Sequence, residues 1–223
     1  MRKMLLPVLA VVLFCSCESA YTRQSQYPKL YEEHPVTLVV MPPINNTTNV
    51  EAKDLLYTSI SLPLVEAGYY VVSPHLAMEL LKAESAYDAE QFIDQDAAVF
   101  GRVFGADAVV FSVIDKWAKV GFGIETKIHY IVKSTTTNEI LFERQCDLYL
   151  DLEQKSSNNK SLLGSLIDLA ASAIVTATTD HIVAARKCNQ YIFKDIPRGK
   201  YSPDYQQDKE RSASPKDTKV TVK

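Results

Sequence analysis

The chain has 223 residues, 47% of them hydrophobic, with 24 Lys and Arg against 27 Asp and Glu and a formal charge of −3. That length supports one domain with a proper core rather than two. An acidic chain whose basic residues are scattered lacks the electrostatic footprint that phosphate backbones require, so a nucleic-acid partner is excluded.

The amino terminus reads as an export signal. Arg2 and Lys3 precede an apolar run from Met4, interrupted only by Pro7, that ends at Ser16-Cys17. The run is shorter than the roughly 18 to 20 residues a spanning helix needs, and polar Glu18-Ser19 follow without a basic flank. Phe14-Cys15-Ser16-Cys17 resembles a relaxed lipobox, which makes residues 1–16 a signal peptide and Cys17 the site of lipidation, a palmitate-type anchor. Cys15 follows bulky Phe14 and is the poorer candidate. Without Arg2 and Lys3, 22 basic residues face 27 acidic ones, a mature charge of −5.

Residues 17–35 are polar and tyrosine-containing without a period, and are expected to be a lipidated tether. An α/β domain is expected over 36–202. Val36 to Met41 is a nearly continuous apolar strand, buried on both faces, which Pro42-Pro43 end. The loop Pro42-Pro43-Ile44-Asn45-Asn46-Thr47 leaves the carboxyl end of that strand, where open α/β sheets place ligands, and Pro42, Pro43, Asn45, Asn46 and Thr47 are a candidate binding loop. The alternative is that they only end the strand and cap a helix.

From Glu51 the residues Leu55, Ile60, Leu64 and Val65 share a helical face, and Gly68 closes the helix. Tyr69 to Val72 forms a second strand. Helices are expected over 75–83 and 89–104, the second burying Phe92, Val99 and Val103. Ala106 to Ile114 is a third strand, buried on both sides. Ile124, Thr126, Ile128, Tyr130 and Val132 then alternate with polar residues, and Ile140, Phe142, Cys146, Leu148 and Leu150 alternate on the return strand of a hairpin. A long helix follows from about 161 to 189, and the charged segment 203–223 is expected to be disordered. The sum is a single-domain α/β fold, a mixed sheet of about five strands with helices on its faces.

The segments Val39-Val40-Met41-Pro42-Pro43-Ile44-Asn45-Asn46-Thr47, Glu66-Ala67-Gly68-Tyr69-Tyr70-Val71-Val72-Ser73-Pro74 and Ile196-Pro197-Arg198-Gly199-Lys200-Tyr201 occur in this order. Over roughly 30–205 they resemble a bacterial lipoprotein family of unknown biochemical function, known as surface-antigen candidates and often encoded beside a CsgG-like lipoprotein. The resemblance implies a fold similar to the amino-terminal domain of TolB and the periplasmic part of CsgG. It also implies a transport or assembly accessory of the cell envelope, lipid-anchored in an outer membrane and facing the periplasm, with a CsgG-like lipoprotein or other envelope proteins as partners.

The sequence carries no catalytic constellation. His34, His75, His129 and His181 lack metal spacing, no Gly-rich loop follows a strand, and Asp115, Asp168 and Asp180 are isolated carboxylates. No metal, cofactor or enzymatic activity is expected. Cys146 and Cys188, in an oxidising compartment, are a candidate disulfide, with two buried thiols as the alternative. Ala170, Ala173, Ala177 and Ala184 are a candidate dimer seam on the last helix, unless the helix uses them to pack on its own sheet. The leading expectation is a non-enzymatic envelope accessory working through protein contacts. Its rival is a small-ligand-binding periplasmic lipoprotein, which a deep apolar pocket with a few polar groups would favour.

Overall fold

The computed structural model describes residues 21–86, 88–152 and 173–222. The signal peptide, Cys17, Asp168 and Ala170 lie outside the described residues. The elements are α1 (Arg23–Gln26), α2 (Pro28–Glu33), β1 (Thr37–Val40), β2 (Ile44–Asn45), α3 (Ala52–Glu66), β3 (Tyr70–Val71), α4 (Pro74–Ala83), a 3-10 turn (Ala89–Gln91), α5 (Ala98–Phe104), β4 (Ala108–Val120), β5 (Gly123–Ser134), β6 (Ile140–Asp151), α6 (Ala173–Phe193) and β7 (Asp217–Val222).

The strands form one mixed seven-stranded sheet in the order β3-β1-β4-β5-β6-β7, with β2 also paired to β4. β1 runs parallel to β3 and β4, β4-β5-β6 is an antiparallel meander, and β7 is parallel to β6. Seven strands replace the expected five. The additions are β2, two residues beyond the prolines, and β7.

Two expected details change for the same reason, a bulge that resets parity. β4 does not stop at Ile114. An irregularity between Ile114 and Lys116 lets the strand continue, and Trp117 turns inward with 4% exposure. On β6, Leu141 is the extra residue between Val132↔Phe142 and Lys133↔Ile140, so Leu141 is buried and Ile140 lies 46% exposed rather than inward. The rest of the hairpin alternates as read, with Ile124, Thr126, Ile128, Tyr130, Val132, Phe142, Cys146, Leu148 and Leu150 buried.

The first face of the sheet is covered by α3 and α6. Leu56, Ile60 and Leu64 of α3 and Ala184, Ala185, Cys188 and Ile192 of α6 pack on Val110, Ile128, Tyr130 and Phe142. The buried face of α3 passes through Ala52, Leu56, Ile60 and Leu64. Val65, expected inside, is 53% exposed because it sits a step past Leu64 around the helix. Burying a Leu or Ile of this kind contributes about 1.5–3 kcal/mol.

Described residues on either side of the expected domain are fastened to this face, so the core extends past both expected boundaries, into the tether and into the tail. Within the expected tether, Tyr27 stacks on Phe142 at 5.0 Å and Leu30 and Tyr31 are buried. Within the expected disordered tail, the fully buried Asp208 accepts from Arg23 (2.7 Å), from the Tyr31 hydroxyl (3.1 Å) and from the Arg198 amide (2.9 Å). A second ion pair, Arg144 with Asp195, lies beneath, and Arg144 also donates to Tyr27 Oη at 3.2 Å and Thr218 Oγ1 at 2.9 Å. What the tail places on the core is one buried carboxylate, Asp208, with Ala213 and Val222 packed at its margin, and a carboxylate is a residue type that composition registers as surface.

Two of the motif segments meet here. Gly199 donates to Ala67 O and Tyr201 to Gly68 O, each at 2.9 Å, and Tyr69 Oη donates to Pro197 O at 2.7 Å. A Cβ at Gly199 would lie 2.5 Å from Gly68 O, so the backbones cross where no side chain fits.

The second face is covered by less. α4, the 3-10 turn and α5 bury Ala77, Leu81, Ala89, Ala97 and Phe100 on Val39, Met41, Val109 and Phe111. The expected single helix over 89–104 is broken in two. The chain between the pieces is held by the β5–β6 hairpin, where Lys133 Nζ donates to Gln95 O at 2.7 Å and Asn138 Oδ1 accepts from the Ala97 amide at 2.9 Å, starting α5. No helix among the described residues is long and apolar enough to cross a membrane.

Candidate functional site

The break between the 3-10 turn and α5 opens an apolar cleft of about 370 Å³ on the second face. α4 supplies Leu80 and Leu81 on one wall and α5 supplies Val99, Phe100, Val103 and Phe104 on the other, with Ala86 and Phe92 closing the end. The floor is an aromatic cluster. Phe100 meets Phe92 edge-on at 5.6 Å, stacks on Phe104 at 6.4 Å, and rests edge-on against Phe111 of the sheet at 6.0 Å. The rim is open, with Leu80 39% and Val103 48% exposed. Phe92 and Val99, expected on a buried face, pack against the second core while lining this cleft, whereas Val103, expected with them, is 48% exposed.

The walls are held in place from outside. Tyr57 Oη donates to Pro74 O at 2.9 Å at the start of α4, and burial pushes that phenol up to about 12. Ser85, at φ 53°, turns the chain out of α4 so that Ala86 donates back to Leu81 O at 2.7 Å. Gly105, at φ 62°, closes α5. One charged side chain lines the opening, Glu84, exposed at the carboxyl end of α4. A volume of this size, lined almost wholly by carbon, fits a small-molecule or side-chain pocket.

The candidate loop is otherwise engaged. Asn45 Oδ1 accepts from the amide and hydroxyl of Thr47 (3.1 and 2.8 Å), Asn45 Nδ2 donates to Asn49 O (2.8 Å), Asn49 Oδ1 accepts from the Ala52 amide (3.1 Å), and Asn46 donates to Asp115 (3.2 Å). Pro42 and Pro43 are buried. These contacts shape the loop and start α3, as the capping alternative has it.

Cys146 and Cys188 are free, fully buried thiols that the fold brings together from β6 and α6. Burial, then the hydrogen bond with Cys146, pushes the Cys188 thiol well up, and its sulfur lies 3.0 Å from Thr126 Oγ1. Of the candidate seam, Ala184 is fully buried in the first core, so it faces its own sheet rather than a second copy. Nothing is described of the Ala173 and Ala177 side chains.

The histidines stand apart. His34 ends α2 at φ 50°, with its ring 6.0 Å from that of Tyr205. His75 sits in the first turn of α4. His129 pairs with Glu143 at 3.1 Å on the outer face of the sheet. His181 Nδ1 accepts from Trp117 Nε1 at 2.7 Å, and burial lowers its pKa against the opposing pull of Glu51 and Asp180. Among the described residues no group of three or more His, Cys, Asp or Glu could hold a metal ion.

Arg144 was missed by the sequence reading. Strand parity gave the signal, because residue 144 lies between the inward Phe142 and Cys146.

A lipoprotein of Neisseria meningitidis serogroup B is 24% identical over 197 residues, 86% of this chain and 89% of its own. The crystal structure of lipoprotein GNA1162 from Neisseria meningitidis superposes with a TM-score of 0.49 and 23% identity, covering 66% of this chain and 98% of that one. The LpoB carboxy-terminal domain from Salmonella enterica gives 0.37 and 15%, over 57% and 96%. Residues 25–195 match the family described as "Putative lipoprotein GNA1162-like", and the chain belongs to that family, a family of envelope-associated lipoproteins with no enzymatic activity attached to its name.

Proposed function

We propose that the protein is a lipid-anchored, non-enzymatic accessory of envelope assembly or transport, held in the membrane through Cys17 and acting through contacts with other envelope proteins made at the α4–α5 cleft. The observation that carries this reading is the cleft itself. Its floor is an aromatic cluster, and Leu80 and Val103 stand open at its rim. A concave apolar surface of this kind is where a partner's apolar side chains gain most. Membership of a lipoprotein family supports the anchor, and the resemblance described above makes a CsgG-like lipoprotein in the outer membrane the first partner to try. The volume of the cleft, about 370 Å³, favours a second reading, a small-ligand-binding lipoprotein.

Photo-crosslinking amino acids placed at Leu80 or Val103 in the anchored protein test the first reading. Adducts with one discrete envelope protein at these positions, absent from a control at Gln190 on the exposed side of α6, are expected. Protein adducts at the control alone, or at none of the three, contradict it. Cys17→Ser is expected to abolish both fatty-acid labelling and the adducts; adducts that persist without the lipid contradict the anchoring role.

A further inference from the structure

We infer that the α4–α5 cleft binds one hydrocarbon chain bearing a cationic ammonium head and no phosphate, the chemistry of a single-chain alkylammonium amphiphile. This rests on the second reading above, that the cleft takes a small ligand, and names its class.

Size sets the first limit. A cavity of roughly 150 Å³ holds one benzene ring of six carbons. The cleft measures about 370 Å³, about two and a half times that, which is room for one short alkyl chain and not two.

Wall chemistry sets the second. The walls are two helices and a 3-10 turn, elements whose backbone hydrogen bonds run inside themselves, so no strand edge is offered to an extended peptide. Leu81, Phe92, Val99 and Phe100 present carbon only. An alkyl chain leaves no polar group unsatisfied against such walls.

The mouth sets the third. The carboxyl end of a helix carries a negative partial charge and favours cations. The ten-residue α4 ends at Glu84, a carboxylate where a basic residue is the stabilising choice, so dipole and side chain add to a negative potential at the opening. Glu84 is the charged side chain that lines the opening; Lys82, in the same turn, is engaged with Glu79 at 3.5 Å, and Arg102 lies beside Val103 outside the lining. A fatty-acid carboxylate or an anionic phosphoglycerol head is repelled there, and an ammonium is drawn in.

The test uses the full anchored chain in phosphatidylcholine nanodiscs and three twelve-carbon probes with a terminal diazirine: dodecylamine, its N-acetyl amide and laurate. Adducts mapped by mass spectrometry are expected on Val99, Phe100 and Val103, about threefold to tenfold more with the ammonium probe than with the other two, the range of one partly exposed charge pair. Glu84→Gln removes an exposed charge and should bring the three probes level, whereas Val103→Trp should occlude the cleft and abolish cleft labelling by all of them. Equal labelling by the three heads in the native protein, or labelling confined to residues outside the cleft, overturns the inference. Should no probe label the cleft while a crosslinker at Val103 captures an envelope protein, this inference falls and the protein-contact reading stands. Should neither be seen, both fall.

Discussion

The two faces of the sheet are closed by different means. On the first, α3, α6, α2 and the segment after α6 cover β1, β4, β5 and β6, and two buried ion pairs, Arg144–Asp195 and Arg23–Asp208, lock these segments down. On the second, two short helices and a 3-10 turn cover only the β1 and β4 side, and they leave an apolar cleft between them. Apolar surface left open in a fold able to seal its other face so fully points to use rather than to a shortage of hydrophobic residues.

The contrast breaks most sharply at Arg144. Its side chain is fully buried, and Arg144→Leu leaves Asp195 without its charge partner in the core. A loss of about 3–5 kcal/mol is expected from urea unfolding. A loss below about 1 kcal/mol, the size of an exposed pair, would show that the ionic fastening contributes nothing special.

Leu64 and Leu80 make the same comparison with one residue type. Leu64→Ala, at full burial on α3, should cost about 2–5 kcal/mol, while Leu80→Ala on the cleft rim should stay within about 1 kcal/mol. Equal costs would mean that the cleft is part of the core and not a site.

The thiol pair bears on the first face only. Cys188 is buried and its thiol is pushed up, so in the reduced folded protein it should resist alkylation at pH 8 and react once unfolded. In protein isolated from the envelope without reductant, we expect the two thiols to be joined. Two titratable thiols after unfolding would refute the join, and Cys146→Ser with Cys188→Ser should lower stability by about 3–4 kcal/mol if the join exists.

Alkali acts mainly on the first face as well. Burial pushes the Tyr27 phenol up to about 12, as it does that of Tyr57, which packs in the same core. A neutral phenol favoured by folding contributes stability that is whole below pH 10 and is lost as pH rises towards 12. Stability measured by urea should be flat to pH 10 and then fall; a flat profile through pH 12 would contradict the burial.

The smallest effect concerns Trp117. Its indole donates to neutral His181, whose pKa burial lowers, so the contact holds above the ordinary imidazole value and is lost as pH falls below it. Tryptophan emission should change in one step below pH 6.5, and His181→Phe should abolish the step.

Much of the fold was legible in the sequence because it rests on periodicity. The continuous apolar runs at 36–41 and 106–114 and the alternation from Ile124 mark β1, β4 and β5 without help. Whatever broke a period was hidden. The bulges beside Lys116 and at Leu141 reset parity, and the contributions of Arg23, Arg144, Asp195 and Asp208 come from residue types that composition assigns to the surface. The cleft was half legible. Phe92, Val99 and Val103 were recognised as an apolar face, but no local signal shows that Lys133 and Asn138, from a distant hairpin, hold the 3-10 turn and α5 so that this face stays open.

The central claim, that the second face keeps a preformed apolar cleft between α4 and α5 where α3 and the described part of α6 pack on the first, is tested most directly with xenon, which enters dry apolar cavities. Crystals of the protein under xenon pressure should show an ordered atom between Leu81, Val99 and Phe100 and none between α3, α6 and the sheet. Ordered water in the cleft, or a cleft closed by its own side chains with no xenon bound, would contradict the account.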